Sequence, residues 1–186
     1  RAMPPPPQYR SRTIAALVTE FSGALASLEE QLAAVPRFNS VAELLAQGTH
    51  LFDGAVICLP NDRTPAALEQ LAAAGKHVLS EKPCGLNAAA VRPALEKVRQ
   101  SGVAFQTGYV WRYDEGSQRL KAMIAEGRFG KLISVEMTCV TSDASRRGSS
   151  HFLFDPQMSG GGFFNWLGCH YLDLLGYVTG QSVAGV

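Results

Sequence analysis

The sequence predicts an α/β fold in which a parallel sheet flanked by helices precedes the start of a second α/β domain with an open sheet. Short apolar runs alternate with longer amphipathic stretches from Ile14 to Thr107, separated by connections of a few residues. This alternation is typical of strand–helix–strand units with parallel strands. The pattern changes after a glycine-rich turn at residues 127–130. We therefore place a domain boundary at residue 128, giving regions 1–128 and 129–186.

Composition supports a globular protein and excludes several other classes. The 186 residues are 46% hydrophobic and 18% charged, which is enough apolar matter for a core. A formal net charge of +1 gives no field strong enough to attract nucleic acid or an acidic membrane surface. No apolar run is long enough for a membrane span, and the four cysteines match no zinc or disulfide pattern. We expect reduced thiols and a cytoplasmic protein that binds neither nucleic acid nor membranes.

The first elements follow from apolar runs and a helix-start signal. Residues 14–18 predict a buried strand, and residues 24–34, rich in Ala, Leu and Glu, predict a helix. Ser40 with Glu43 three residues later predicts a capping box at the start of a helix over residues 41–47. These elements begin the alternation that predicts the parallel sheet.

The strongest strand signal is the run DGAVICL at residues 53–59, which predicts a buried strand. Thr64 and Pro65 then predict the cap and the first residue of a helix to residue 74. The remaining predicted elements are strands at residues 76–79, 103–107 and 132–140, and helices at residues 88–101, 114–126 and 163–177.

Parallel strands place the loops that follow them along one edge of a sheet, where ligands bind. We expect four loops at this edge, at residues 19–20, 60–61, 81–83 and 108–112. The three glycines at residues 160–162 are not a dinucleotide-binding fingerprint, because no buried strand precedes them. The sequence therefore predicts a ligand-binding edge.

Three ordered segments of the chain carry a family resemblance. They are AAAGKHVLSEKP at residues 72–83, GYVWRYD with RLKAMIAEGRFGKLISVE within residues 108–136, and GGGFFNWLGCHYLDLL at residues 160–175. Together they resemble the glucose–fructose oxidoreductase/inositol dehydrogenase/rhizopine catabolism family (Gfo/Idh/MocA).

This resemblance implies an N-terminal NAD(P)-binding Rossmann domain and a C-terminal substrate and oligomerisation domain. The implied reaction is hydride transfer between NAD or NADP and a sugar, polyol or similar alcohol or ketone. The implied partners are a small-molecule substrate and, in the complete protein, further copies of the same chain. Chains of the family are about twice as long, so we expect this one to be a fragment without the Gly-rich turn and most of the C-terminal domain.

The resemblance implies catalytic roles for two residues. Lys82, in Glu81-Lys82-Pro83 at the end of a strand, would bond the reacting oxygen and stabilise its developing negative charge. His170 would be the general acid or base, since an imidazole exchanges protons near neutral pH. From residue type alone, Lys82 could equally be a solvated surface residue and His170 a core histidine with satisfied hydrogen bonds.

The resemblance also implies binding residues, and it gives no metal site. Glu20 would bind the adenosine ribose and favour NAD. Thr64 stands where the family often has His, and we interpret it as a helix cap. Arg146 and Arg147 are expected in a solvated loop. The expected cofactor-binding residues are Glu20, Pro60, Asn61, Glu81, Lys82 and Pro83, and the expected substrate-binding residues are Arg112, Tyr113, Trp166 and Asp173.

The last helix carries the chief departure from the family pattern. Trp166, His170, Asp173 and Tyr177 fall at i, i+4, i+7 and i+11, on one helical face. The family usually has Asp four residues before the His, whereas Trp166 can only donate a hydrogen bond. Asp173 would then orient His170 or a neighbouring backbone group. The hypotheses are an oxidoreductase whose pocket Trp166 reshapes, or a binding or regulatory protein, or an inactive fragment, that kept the fold without turnover.

Overall fold

A computed structural model describes residues 17–18 and 34–185, and the chain forms two compact units, residues 1–53 and 54–186. In the first unit, strand β1 (Leu17–Val18) pairs in parallel with β2 (Arg37–Phe38). The predicted contact residue Glu20 and residues 24–33 of the predicted helix lie outside the described residues. The boundary that we place at residue 128 stays a prediction.

Helix α1 (Val41–Gly48) begins with the predicted cap. The Ser40 hydroxyl oxygen accepts a hydrogen bond from the Glu43 backbone N–H at 3.1 Å. The Glu43 carboxylate accepts from the Asn39 backbone N–H at 2.8 Å rather than from that of Ser40. The two side chains thus satisfy amides at the start of the helix, as a capping box does, with the second bond one residue earlier in the chain.

The second unit contains a three-stranded parallel sheet in the order β3–β4–β5, which confirms the predicted parallel sheet. In its register, Ile57 is the partner of Ser80, and Ser80 is the partner of Thr107. The three strands therefore end together at their carboxyl ends. They are β3 (Gly54–Ile57), β4 (His77–Ser80) and β5 (Phe105–Thr107).

Helices α2 (Thr64–Ala73) and α3 (Ala88–Ser101) pack on each other, and α2 also packs on β3 and β4. The core between them includes Leu68, which is fully buried. Alternate strand residues behave differently, because successive side chains of a strand point to opposite faces. Ile57 is buried, whereas its neighbour Val56 is 68% exposed, so the strand predicted to be wholly buried is buried on one face.

Thr64 is not the helix cap that the sequence predicts. It is the first helical residue, and Arg63 occupies the cap position. The Thr64 hydroxyl donates to the backbone oxygens of Pro60, at 3.1 Å, and Leu59, at 3.3 Å. The hydroxyl thus faces the carbonyls that precede the helix and not the helix amides that a cap would serve. The buried Thr64 therefore fixes the turn after β3 rather than the helix end.

Residues 132–140 follow helix α4 (Glu115–Ala125) and form no strand, so the strand predicted there is absent. Ile133 and Val140 in this segment are 94% and 95% exposed. A strand is stabilised by backbone hydrogen bonds to a neighbouring strand and by a layer that covers its apolar side chains. Among the described residues, this segment has neither a neighbouring strand nor a covering layer. Alternation of apolar and polar side chains alone does not form a strand.

The last helical region also differs from its prediction. Helix α5 (Pro156–Ser159) ends at Gly160, and a π-helical turn (Phe164–Gly168) leads into helix α6 (Cys169–Thr179). The predicted single α-helix over residues 163–177 is therefore interrupted in its first half. π-turns are rare and frequently lie at functional sites. Within the described ranges, the helices are all too short or too polar to cross a membrane.

Candidate functional site

Three predicted loops lie at the carboxyl edge of the sheet. The Glu81 backbone N–H donates to the Ile57 oxygen at 2.8 Å, and the Gly108 N–H donates to the Ser80 oxygen at 2.8 Å. These bonds continue the strand pairing by one residue, so the loops at residues 60–61, 81–83 and 108–112 leave the sheet at the same edge. The fourth predicted loop, at residues 19–20, lies outside the described residues.

Lys82 extends from this edge to the π-turn. Its Nζ donates to the backbone oxygen of Trp166 at 2.7 Å and lies 4.6 Å from the centroid of the Trp166 indole. Burial lowers the pKa of Lys82, and the charge of Arg147 lowers that pKa as well. Lys82 is therefore a half-buried, positioned ammonium group and not a solvated surface lysine.

The residues beside Lys82 hold its backbone. The Glu81 carboxylate accepts from the Lys82 backbone N–H at 3.2 Å. The Ser80 hydroxyl donates to the backbone oxygen of Glu81 at 3.0 Å. The peptide bond between Lys82 and Pro83 is cis, and Pro83 is buried. Glu81 and Pro83 thus frame the lysine in the structure. Their predicted contacts to a cofactor stay predictions.

His170 is buried in α6, with 7% of its surface exposed. Its imidazole stacks on Trp111, with ring centroids 4.7 Å apart, and meets Tyr109 edge-on at 6.0 Å. Its Nδ1 is buried without a hydrogen-bond partner among the described residues. An unpaired buried ring nitrogen is costly, so His170 is not the satisfied core histidine of the alternative interpretation.

The structure places the Lys82 ammonium at the π-turn that leads into the helix of His170. The Lys82 ammonium bonds the carbonyl of Trp166, four residues before His170. Burial lowers the pKa of His170 below its ordinary value of 6.5, and the positive charge of Lys82 lowers it further. His170 is therefore neutral at pH 7 and can accept a proton. Trp166, at the position of the family's usual Asp, positions the lysine through its backbone.

Asp173 binds Arg112 and not His170. Its Oδ2 accepts from Arg112 Nε at 2.8 Å, and its Oδ1 accepts from Arg112 Nη2. This paired arrangement is the strong geometry for an arginine and a carboxylate, and the Asp173 side chain is only 9% exposed. The prediction that Asp173 orients His170 is wrong, because both carboxylate oxygens are engaged elsewhere.

Three of the four residues predicted on one face of the last helix, His170, Asp173 and Tyr177, lie in α6, whereas Trp166 lies in the π-turn before it. His170 stacks on Trp111, while Asp173 and Tyr177 both contact Arg112, whose guanidinium carbon lies 5.6 Å from the Tyr177 ring. Trp111 and Arg112 belong to one 3-10 turn after β5. The loop after β5 therefore packs along the face that carries His170.

The predicted substrate residue Tyr113 is 64% exposed, and its hydroxyl accepts from Gln106 Nε2. Arg112 is tied to Asp173, as described above. The structure therefore gives both side chains partners within the protein. A contact of either with substrate stays a prediction.

Asn61 joins the sheet edge to the three-glycine turn. It is 3% exposed, and its Nδ2 donates to the Ser159 oxygen at 3.0 Å. Asn165 Nδ2 donates to the same oxygen at 2.9 Å. The Asn61 amide nitrogen is therefore engaged inside the protein. The predicted cofactor contacts of Asn61 and Pro60 stay predictions.

Sequence reasoning missed two side chains beside this site. Trp111 stacks on His170. It directly precedes Arg112 in the loop after β5, and this position next to an expected substrate residue could have identified it. Arg147 is half-buried, with its Cζ 4.1 Å from the Trp166 ring centroid, so its expected place in a solvated loop is wrong. The polar run around Arg147 gave no signal, because the contact joins positions far apart in the chain.

Two family models match the chain in succession. Residues 6–109 match the model described as the oxidoreductase family, NAD-binding Rossmann fold, and residues 117–186 match the GFO/IDH/MocA C-terminal domain. The first match covers 104 of the 186 residues, which is more than half of the chain.

Curated relatives point the same way. Inositol 2-dehydrogenase of Rhizobium meliloti (strain 1021) is 31% identical over 134 residues, which are 72% of this chain and 38% of that protein. Rhizopine catabolism protein MocA of Rhizobium meliloti is 31% identical over 130 residues, 70% of this chain and 39% of that protein. The aligned part of the chain covers less than half the length of these relatives.

Solved structures show the same fold. Myo-inositol 2-dehydrogenase from Lactobacillus plantarum superposes with a TM-score of 0.74 at 22% identity, covering 91% of this chain and 49% of that one. An inositol dehydrogenase homolog complexed with NAD+ from Azotobacter vinelandii gives 0.69 at 18% identity, covering 82% and 42%. With the family models, these findings establish that the chain belongs to the Gfo/Idh/MocA oxidoreductase family.

Proposed function

We propose that the complete protein is an NAD(P)-dependent oxidoreductase that transfers a hydride to or from a CH–OH carbon of a sugar, polyol or similar alcohol or ketone. The observation that supports this best is the convergence of Lys82 and His170. Lys82 can stabilise negative charge on a reacting oxygen, and His170 can exchange the proton of that oxygen. Membership of an oxidoreductase family and the names of the relatives support the reaction class.

The described residues fit the nicotinamide side of a dinucleotide. Three loops leave the carboxyl edge of a parallel sheet, and the charge of Lys82 from one of these loops acts on His170, whose Nδ1 is buried without a partner among the described residues. Pro60 and residues 81–83 would hold the cofactor's ribose and ring. When bound, the cofactor supplies the acceptor or donor of the hydride. A preference for NAD would rest on Glu20.

The two side chains divide the work on the reacting oxygen. An ammonium group has three donors, and Lys82 uses one of them on the Trp166 carbonyl, so two remain for a substrate oxygen. In alcohol oxidation, neutral His170 takes the hydroxyl proton while Lys82 stabilises the negative charge that develops on the oxygen. In ketone reduction the protonated imidazole returns that proton. Trp166 takes no part in proton transfer.

A second function is favoured by one observation. Among the described residues His170 has no carboxylate partner, because Asp173 is bound to Arg112 and Trp166 stands where the family usually has Asp. A protein that binds a ligand without converting it would tolerate the loss of this carboxylate partner. In that case the same pocket would serve a binding or regulatory role.

A direct assay distinguishes the two functions. The complete protein is incubated with NAD+ or NADP+ and a panel of neutral and acidic sugars and polyols, and the absorbance of the reduced nicotinamide is followed. We expect reduction with at least one member of the panel. Binding of the dinucleotide in a calorimeter without reduction by any member would favour the binding protein.

The variant Trp166→Asp tests the departure from the family. The change removes the indole that contacts Lys82 and Arg147 and places a carboxylate four residues before His170. We expect KM for the best substrate to rise by about 10-fold and kcat to change by less than about 3-fold, because the indole shapes the pocket without exchanging protons. Trp166→Phe, which keeps an aromatic ring, is the matched control. Activity that appears only in Trp166→Asp would show that turnover had been lost with the carboxylate.

The lowered pKa of His170 predicts the pH dependence of alcohol oxidation. Only neutral imidazole can take the hydroxyl proton, and burial together with the Lys82 charge disfavours the imidazolium form. We expect kcat/KM to fall about tenfold per pH unit on the acid side of a pKa below 6.5, and to fall again at alkaline pH, where Lys82 loses its proton with a pKa below 10.5. An acid limb centred above 6.5 would contradict this assignment.

A further inference from the structure

The indole of Trp166 contacts two cationic side chains. Arg147 Cζ lies 4.1 Å from the ring centroid, and Lys82 Nζ lies 4.6 Å from it. Lys82 is fixed by its bond to the Trp166 carbonyl, and Arg147 Nη1 lies 3.1 Å from His151 Nε2. Cation–π contacts stabilise each cation without neutralising its charge. Two positive charges are thereby held beside one ring.

Neither of the two cations at this ring, Lys82 and Arg147, has an ion pair among the side chains that the structure describes. Glu81 is the carboxylate that acts on Lys82, and its Oε2 is turned to the Lys82 backbone N–H at 3.2 Å. Arg147 and Lys82 nevertheless lie against the same ring, at 4.1 Å and 4.6 Å from its centroid, so two like charges are held close together. A bound anion would relieve this repulsion.

We propose that Arg147, Lys82 and the indole of Trp166 form a subsite for an anionic group, a carboxylate or a phosphate, carried by the substrate. The inference rests on the proposed function, because it names the substrate class of that same site: an acidic or phosphorylated sugar or polyol. The planar guanidinium of Arg147 presents paired N–H donors that match the oxygens of such groups. An indole at position 166 also avoids the negative charge that a carboxylate would place there.

The subsite lies beside the reacting groups. Lys82 contacts the same indole as Arg147 and carries the two remaining donors that a hydroxyl could use. A substrate whose anionic end is bound at Arg147 can therefore present a hydroxyl to Lys82 and His170. Arg147 lies against His151, and burial and the charge of Arg147 both lower the pKa of His151 and favour its neutral form, so His151 adds no third positive charge here.

Calorimetric titration of the complete protein at low ionic strength tests the subsite. The probes are D-glucuronate, D-glucose 6-phosphate and neutral D-glucose. We expect at least one anionic sugar to bind more tightly than glucose, and Arg147→Gln to weaken that binding about 10- to 100-fold while leaving glucose unaffected. Arg99→Gln, which removes an exposed positive charge on α3, is the control and should bind as the wild type does.

Several outcomes would overturn the inference. They are anionic sugars that bind no more tightly than glucose, Arg147→Gln binding as tightly as the wild type, and inorganic phosphate competing as well as the sugar anions, which would indicate a simple anion site. Arg147→Lys keeps the charge without the planar fork and should give intermediate affinity, so a folding defect of Arg147→Gln does not remove the test. Because binding is measured without turnover, Arg147-dependent binding without hydride transfer would count against the proposed function alone.

Discussion

Replacement of His170 with Gln is expected to lower kcat/KM for hydride transfer by about 10²- to 10⁴-fold, the usual contribution of a positioned general acid or base. Glutamine keeps much of the volume that stacks on Trp111 but cannot take a proton at neutral pH. The loss should appear in kcat, because the proton moves only during the reaction. Arg99→Gln, on the exposed surface of α3, is the control for handling and folding.

Lys82→Met should cause a loss of similar size for a different reason. Methionine keeps the apolar stem but removes the donors and the charge that stabilise the substrate oxygen. Since both residues act on one oxygen, the double variant Lys82→Met/His170→Gln should lose less than the product of the two single losses. Undiminished hydride transfer in the double variant would remove both residues from the mechanism.

Gly160→Ala is expected to destabilise the protein by about 2–4 kcal/mol, through two independent costs. Gly160 has φ +69°, where a side chain is strained, and an added Cβ would lie 2.9 Å from the backbone oxygen of Leu86. The chain cannot relieve that contact by turning a side chain, because the nearest atoms belong to the backbone. The added Cβ would push the three-glycine turn away from the segment that follows Pro83. It would thereby also move this turn away from Lys82.

Gly127→Ala is the matched control for this variant. Gly127 has φ +72°, but nothing lies within 4 Å of an added Cβ, so only the conformational cost of about 1 kcal/mol remains. Urea unfolding of both variants gives the difference. Equal destabilisation by the two substitutions would show that the close approach of Gly160 to Leu86 does not stabilise the fold.

Local signals predicted the sheet and its helix ends well. The parallel order of β3, β4 and β5 follows from strand–helix alternation, and the ends of α2 and α3 follow from Gly75 and Gly102, whose φ values are 72° and 68°. Such features depend on residues close together in the chain. The loops along the carboxyl edge of the sheet could therefore be predicted from the amino-acid sequence alone.

The errors arise where distant parts of the chain decide the outcome. The alternating run at residues 132–140 needs a partner strand, and its pattern does not reveal whether one is present. Asp173 pairs with Arg112 across 61 positions, and helical spacing could not distinguish this partner from His170. Arg147 reaches Trp166 from a loop with no periodicity.

The π-turn is a further feature that the residue pattern did not predict. The three-glycine signal gave a helix start near the observed one, but it did not show that Phe164–Gly168 would take the wider turn. This turn contains the Trp166 carbonyl that accepts from Lys82. The family resemblance identified Lys82 and His170, whereas only the structure shows how they come together.

The convergence of Lys82 and His170 on one site is tested most directly by NMR titration of His170 in the wild type and in Lys82→Met. The His170 signal is assigned with His170→Gln, and no substrate or cofactor is needed. We predict a pKa below 6.5 in the wild type, because burial and then Lys82 disfavour the imidazolium, against weaker opposing effects of Glu81 and Asp173.

In Lys82→Met, the His170 pKa should rise towards its ordinary value of 6.5, because the lysine charge that lowers it is removed. Arg99→Gln, which removes a positive charge far along the surface of α3, should leave it unchanged. A His170 pKa that is the same in the wild type and in Lys82→Met would contradict the shared site and, with it, the assignment of both residues to one reaction.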